Sequence, residues 1–296
     1  MENILLNKIE AGDFIITAEY APGTNLGTLP SEKLKNCGAA AINISDNPYG
    51  ASISSLASAV RLRQAEIEPI YQIVTRDRNR IALQSDILGA ASLGIKNILC
   101  LSGYHQTITE MPESARVFDI DSIQLIGTIN RMNEEGILLN GTKINGKFSM
   151  LVGAVANPYL RPLDLNILRL KKKVKSGARF IQTQAVFNTT DFRDWLDAAY
   201  QEGITERAAI IAGIYPLESY DEAVSLLKKH TDFYIPDSHI KRIKDAGNPE
   251  AQKKEGIAIC VETIGKIKEM KGLNGIHIIS GGKVDIINEV ITEAGL

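Results

Sequence analysis

The stretch PIYQIVTRDRNRIALQSDILGAASLGIKNILCLSG, residues 69–103, decides the fold. It opens on a short apolar run, PIYQIVT, rich in the β-branched and aromatic residues that suit a strand. A polar segment from Arg76 to Arg80 follows. Beyond it, apolar residues recur at helical spacing until Gly94 stops the pattern. A second apolar run, NILCLSG, closes the unit at residue 103. Strand, helix and strand in succession form a βαβ unit, whose two strands lie parallel. Neither run alternates cleanly between apolar and polar, so both faces of each strand are expected to be covered.

The same rhythm extends in both directions. Further apolar runs are FIITAEY (14–20), AAINIS (40–45), MLVGAVA (150–156), RFIQTQAV (179–186), AIIAGIYP (209–216) and GIHIISGG (275–282). Helix-like segments such as DSIQLIGTINRMNEEG and LDLNILRLKKKVKSG lie between them. Eight strands alternating with helices over this length are the pattern of an α/β (β/α)8 TIM barrel. A doubly wound open sheet is the alternative arrangement. No composition shift or linker divides the chain, so residues 1–296 are read as a single barrel domain.

Composition narrows the function. Net charge is -2, which provides no global basic field for nucleic acid or a membrane surface. Aromatic residues make up 6% of the chain, little material for base-stacking platforms. Cys37, Cys100 and Cys260 are far apart, with no CxxC and no histidine at ligand spacing, so no metal site is expected. The N-terminal segment mixes charges into its apolar run, unlike a signal peptide. No stretch approaches the roughly 20 apolar residues that span a bilayer. A reducing, cytoplasmic setting is the expectation.

In such a barrel the chemistry sits where strands end. Those ends are polar here: Glu19 after the first run, Ser45-Asp46-Asn47 after the second, Thr75 to Arg80 after the third. Ser102 to His105 follow the fourth, Tyr215-Pro216 end the seventh, and Ser280 to Lys283 end the eighth. Each has a plainer reading. Asp46-Asn47-Pro48 suits a turn, Arg76 to Arg80 suits a capped helix start, and a Gly281-Gly282 pair is weak evidence for a phosphate loop. Gln182 and Gln184 share one face of a strand, and two amides aimed into a barrel mouth require partners.

In order along the chain, TAEYAP, TRDRNR, GIKNILCLSG, FDIDSIQL, IQTQAVF, GIYPL, IPDSHIKRI and GIHIISGGK resemble the methylenetetrahydrofolate reductase family of the bacterial and archaeal single-domain type. The resemblance covers essentially the whole chain. It implies reduction of a methylene-bridged tetrahydropterin to the 5-methyl form by hydride from a reduced, non-covalent flavin, usually FAD, with FMN or a deazaflavin as alternatives. Glu19 matches the family's general acid, which protonates N10 so that the methylene ring can open. A carboxyl held there should have a raised pKa. Gln184 matches the residue that hydrogen-bonds the pterin. Tyr220 falls near an aromatic position of the substrate site, and Lys283 falls where the family has an arginine. Gln72, Thr75, Arg76, Gly103, Tyr104, Asn157, Asn166 and Lys173 fall at or beside flavin contacts, with Lys173 toward the pyrophosphate.

Three positions depart from the family pattern. Tyr104 replaces an aspartate beside the flavin and the substrate, Gln72 replaces a histidine, and Asn157 stands where a histidine is common. Tyrosine is neutral at physiological pH, so Tyr104 cannot supply the missing negative charge, and a less negative flavin potential is expected. A pterin-dependent methyltransferase, with Asp46 and Asn47 on the pterin, and a partner-dependent subunit without its own tight flavin remain open. The electron donor is NAD(P)H or a redox partner protein, the substrate a folate or a related tetrahydropterin, and the family suggests a homo-oligomer.

Overall fold

The computed structural model describes residues 2–27, 29–230 and 233–296. Its centre is a closed barrel of eight parallel strands, paired in sequence order with the eighth returning to the first. The strands are β1 Ile15–Tyr20, β2 Ala41–Ile44, β3 Pro69–Val74, β4 Asn97–Leu101, β5 Leu151–Ala156, β6 Phe180–Ala185, β7 Ala209–Ile214 and β8 Leu273–Ile278. This is the α/β barrel that the eight apolar runs predict. The helices are α1 Ile4–Ala11, α2 Ser31–Lys35, α3 Ser55–Gln64, α4 Arg80–Ser92, α5 Ser122–Glu135, α6 Leu163–Lys175 and α7 Thr189–Gln201. The set is completed by α8 Tyr220–Lys229, α9 Asp237–Asp245, α10 Pro249–Ile267 and α11 Asp285–Glu293. Two of them, α2 and α11, follow β1 and β8 and complete the βα alternation, whereas α1 precedes β1 and α8, α9 and α10 all lie between β7 and β8.

The two faces of each strand explain why the runs do not alternate. One face carries Ile42, Ile44, Tyr71, Ile73, Ile98 and Cys100, packed under the helices in a single large cluster. The other faces the barrel axis, where Ile15, Ile70, Leu99, Leu151, Phe180 and Ile211 form a separate inner floor. Leu5 of α1 joins that floor from below and is fully buried. Its helix is fixed by Glu68, whose two carboxylate oxygens accept the orphan N–H groups of Ile4 and Leu5 at 2.6 and 2.8 Å. Asn97 donates to the same carboxylate at 2.9 Å. Phe180 fills the axis because Gly153 on the neighbouring strand leaves room; a Cβ at 153 would lie 2.2 Å from the ring.

The polar segment after β3 is a capped helix start. Asn79 accepts from the N–H groups of Ile81 and Ala82, opening α4. Arg78 reaches back to the fully buried Asp46 at 2.7 and 3.1 Å. Asp46 also accepts from Ser55 Oγ at 2.9 Å and from the Val74 N–H at 2.9 Å. The carboxylate therefore joins the ends of β2 and β3 to α3 and α4.

Candidate active site

Above the apolar floor the inward positions turn polar. Thr17, Asn43, Gln182 and His277 are all buried and bonded to one another. Asn43 Nδ2 donates to Gln182 Oε1 at 2.5 Å, and Gln182 Nε2 donates to Asn43 Oδ1 and Thr17 Oγ1, both at 3.1 Å. An amide nitrogen only donates, so the Thr17 hydroxyl accepts there, and the same hydroxyl lies 3.0 Å from His277 Nδ1. Burial pushes the His277 pKa down to about 4, against the opposing contact with Thr17, so the ring is neutral at ordinary pH. Of the two glutamines read on one strand face, Gln182 is thus spent within the barrel.

Glu19, one inward position above Thr17, sits at the carboxyl end of β1. Ser45 Oγ donates to its Oε1 at 2.6 Å, and the Gly281 N–H donates to its Oε2 at 3.3 Å. Ser280 Oγ fixes the Glu19 carbonyl at 2.9 Å. The residue is half-buried, open toward the mouth and enclosed on its other sides. Burial raises its pKa above the ordinary carboxylate range, against the two hydrogen bonds from Ser45 and Gly281. Gln184 lies one inward position above Gln182, half-buried, and its side-chain amide has no hydrogen-bond partner among the described residues. The mouth therefore holds a carboxyl whose burial favours its protonated form and an amide with no side-chain partner among the described residues.

Aromatic rings cross the same face. Tyr104 stacks on Tyr49, with centroids 5.9 Å apart and planes within 4°. His230, beyond α8, lies 4.9 Å from Tyr104, and its Nε2 is 2.9 Å from Tyr49 Oη. The loops following β2 and β4 therefore meet the end of α8. Gly103 carries φ +86°, and a Cβ there would press within 3.1 Å of Arg76 Cβ, so the turn into Tyr104 requires glycine.

The other residues suggested by sequence have varied surroundings. Gln72 points inward, half-buried, with no side-chain hydrogen bond among the described residues. Thr75 is fully buried and its Oγ1 has no partner among them. Arg76 is buried and committed: it forms a two-pronged pair with Asp77 at 2.7 and 2.9 Å and donates to the carbonyls of Asn47 and Tyr104. Asn157 Oδ1 accepts from the Tyr159 N–H, and Asn166 Nδ2 braces the same loop through the carbonyls of Asn157 and Leu160. Lys173 donates to the Val155 carbonyl at 2.5 Å, and burial lowers its pKa to about 8. Tyr220 opens α8, packs in the cluster with Phe187 and Leu217, and lies beneath Lys244. Lys283 pairs with Glu218 at 2.6 Å and Glu222 at 3.3 Å. Among the described residues no group of histidines, cysteines and carboxylates could hold a metal ion, and no helix is long and apolar enough to cross a membrane.

A family profile described as methylenetetrahydrofolate reductase matches residues 5–295. The chain belongs to the methylenetetrahydrofolate reductase family. A Caenorhabditis elegans protein named "Probable methylenetetrahydrofolate reductase (NADPH)" is 22% identical over 250 residues, covering 83% of this chain and 35% of that protein. Methylenetetrahydrofolate reductase 1 of Schizosaccharomyces pombe is 24% identical over 241 residues, covering 78% and 36%. This chain therefore spans about a third of the length of either relative. A solved structure of an uncharacterized Clostridium thermocellum protein, described as binding two copies of 5-methyl-5,6,7,8-tetrahydrofolic acid, shares the fold. Its TM-score is 0.67 at 18% identity, with 98% of both chains covered.

Within this family barrel, sequence reasoning marked Ser45 and Tyr215 as polar strand ends without giving either a role, and did not reach Glu222. Ser45 and Tyr215 stand at strand ends, which was the available signal. Nothing in the sequence indicates that Tyr215 Oη donates to Glu222 at 3.0 Å beside Glu19.

Proposed function

We propose that this chain reduces a 5,10-methylene-tetrahydropterin to its 5-methyl form, with Glu19 as the general acid. One observation carries the reading: a carboxyl whose pKa is raised by burial, Glu19, stands one inward position above Thr17, and an amide with no side-chain partner among the described residues, Gln184, stands one inward position above the Gln182 that bonds Thr17. Ring opening of the methylene bridge needs a proton on N10, and a carboxyl whose burial disfavours ionisation is suited to supply one. The Gly281 N–H only donates, so Oε2 is the oxygen that stays unprotonated. The acidic proton is then carried on Oε1. Ser45 turns its hydroxyl from donor to acceptor as that proton comes and goes. Gln184 offers both a donor and an acceptor to the pterin edge, and the neutral His277 keeps the barrel interior free of charge.

The inward-facing Gln72, the unpartnered Thr75 hydroxyl and the Gly103 turn suit the edge of a planar cofactor, and Lys173 would offer a phosphate a charge. Reduced flavin, when bound, supplies hydride to the one-carbon unit. FAD is the flavin the family favours, NAD(P)H or a redox partner protein the source of electrons, and a cytoplasmic homo-oligomer the expected form. The methyltransferase reading loses support, because Asp46 is consumed by Arg78, Ser55 and the Val74 N–H and has no face left for a pterin.

The test is direct. Purified protein is incubated anaerobically with dithionite-reduced FAD, FMN or deazaflavin and methylene-tetrahydrofolate or its methanopterin counterpart, and 5-methyl product is followed by mass spectrometry. Product that appears with wild type and not with Glu19→Gln supports the reading. No product from any combination, despite bound flavin and pterin, would refute it.

A further inference from the structure

Lys283 is too thoroughly engaged with the protein to be a waiting substrate ligand. Its ammonium bonds Glu218 at 2.6 Å and Glu222 at 3.3 Å, and these pairs outweigh burial to raise its pKa. Glu222 is itself fixed: Oε2 accepts the Glu218 N–H at 2.8 Å, Oε1 accepts from Tyr215 Oη at 3.0 Å, and its own N–H donates to Ser219 Oγ, the α8 cap. Tyr215 in turn lies over the Gly281 peptide. A Cβ built on Gly281, whose φ is +59°, would come 3.3 Å from Tyr215 Oη. Gly281 is the residue whose N–H reaches Glu19 Oε2. The loop of residues 280–283 is thus held at both ends, by Ser280 on the Glu19 carbonyl and by Lys283 on α8.

We propose that Tyr215, Glu222 and Lys283 form a clamp that seats the Gly281 N–H on Glu19, making them positioning residues of the acid. The reading rests on Glu19 as the acid only for its effect on rate. Ion pairs this exposed add little to stability, so their geometric effect on the loop is their contribution. The groups facing Glu19 are few. Ser45 follows β2, Tyr215 follows β7 with Glu222 and Glu218 behind it on and before α8, and Lys283 lies after β8. Neutral His277 lies below, reached through Thr17 on the acid's own strand.

The experiment uses the full chain as Lys283→Met and Glu222→Gln, with Lys283→Arg as the conservative control. Glu19 is titrated by 13C NMR of carboxyl-labelled glutamate, its signal assigned by loss in Glu19→Gln. Losing one hydrogen bond to the carboxylate disfavours its charged form, so the Glu19 titration is expected to move up by about one pH unit in both variants. In turnover, kcat is expected to fall on the order of tenfold through misplacement of the acid, with KM for the pterin little changed. The basic limb of kcat/KM should move up with the titration, and Lys283→Arg should restore all three. A titration at the wild-type position in both variants overturns the clamp, and a raised KM with unchanged titration would identify Lys283 as a substrate ligand instead. A shifted titration with no matching limb in the rate profile leaves the clamp standing and removes Glu19 as the acid.

Discussion

Replacing Glu19 with Gln separates what the carboxyl does for chemistry from what it costs the fold. The side chains are nearly isosteric, and the surroundings accept the exchange. The Gly281 N–H is a donor, so the new amide turns its oxygen toward it; the amide nitrogen then faces Ser45 Oγ, which accepts as readily as it donates. Both contacts survive and only the acidic proton is lost. The rate of methylene reduction should fall by about 10²–10⁴, or ~3–5 kcal/mol of barrier, while pterin and flavin still bind. Stability should move the other way. The folded pKa of Glu19 is raised by burial, so folding favours its protonated form. Below the ordinary glutamate pKa of about 4.3 both states carry the proton and that preference is fully expressed. As pH rises through the folded pKa, the unfolded chain ionises freely, the folded chain resists, and stability is lost. Glu19→Gln has no such loss. Urea titrations of both proteins at a series of pH values should show the mutant gaining on wild type from about pH 4.3 upward, with the largest gap on the alkaline side. Equal stability across the range, or full activity in the mutant, would sink the argument.

Three further outcomes are expected. Ser45→Ala removes a donor to the Glu19 carboxylate, so the basic limb of kcat/KM should move up by about one to two pH units; an unmoved limb would mean that Ser45 does not touch the reacting acid. Leu5→Ala should cost about 2–5 kcal/mol in urea unfolding by opening a cavity in the barrel floor, with pterin affinity unchanged because the mouth lies at the opposite end. Arg78→Met leaves the fully buried Asp46 without its charge partner, and a loss of about 3–5 kcal/mol is expected; a neutral result would show that Ser55 and the Val74 N–H suffice to hold that carboxylate.

The barrel was legible because parallel strands covered on both faces leave a strong trace: continuous apolar runs closed by polar residues at the same end. Glu19 was legible because a carboxylate at the end of a buried strand needs a reason. Helix α1 was not, since Leu5 earns its burial by closing the barrel floor, a contact to strands far along the chain. The paired glutamines show the limit within the site. Gln182 and Gln184 are equivalent by pattern, yet Asn43 and Thr17 satisfy the first and leave the second open. Lys283 and Arg76 were read as ligands from position, but position does not reveal that Glu218, Glu222 and Asp77 stand within bonding distance.

Tyr104 draws these threads together. A carboxylate in that position would place a negative charge over the mouth, near an acid whose protonated form burial already favours, and like charge would raise the pKa of both groups. The tyrosine is neutral and spends its ring on Tyr49 and His230. Ionisation of Glu19 is then governed by burial, Ser45 and Gly281, with no second carboxyl in the set. In the proposed reaction the substrate cation formed on ring opening would draw on neutral groups, the Tyr104 ring, whose negative quadrupole attracts a cation, and the Gln184 amide oxygen, since the Lys229 ammonium already sits 3.4 Å from the Tyr49 ring centroid. Restoring the charge by Tyr104→Asp therefore perturbs two quantities at once. The Glu19 carboxyl titration should move up, and the midpoint potential of flavin bound to the variant should become more negative, both readable without turnover. A potential equal to or above that of wild type, in protein shown to bind flavin, would mean that the residue at 104 does not face the cofactor.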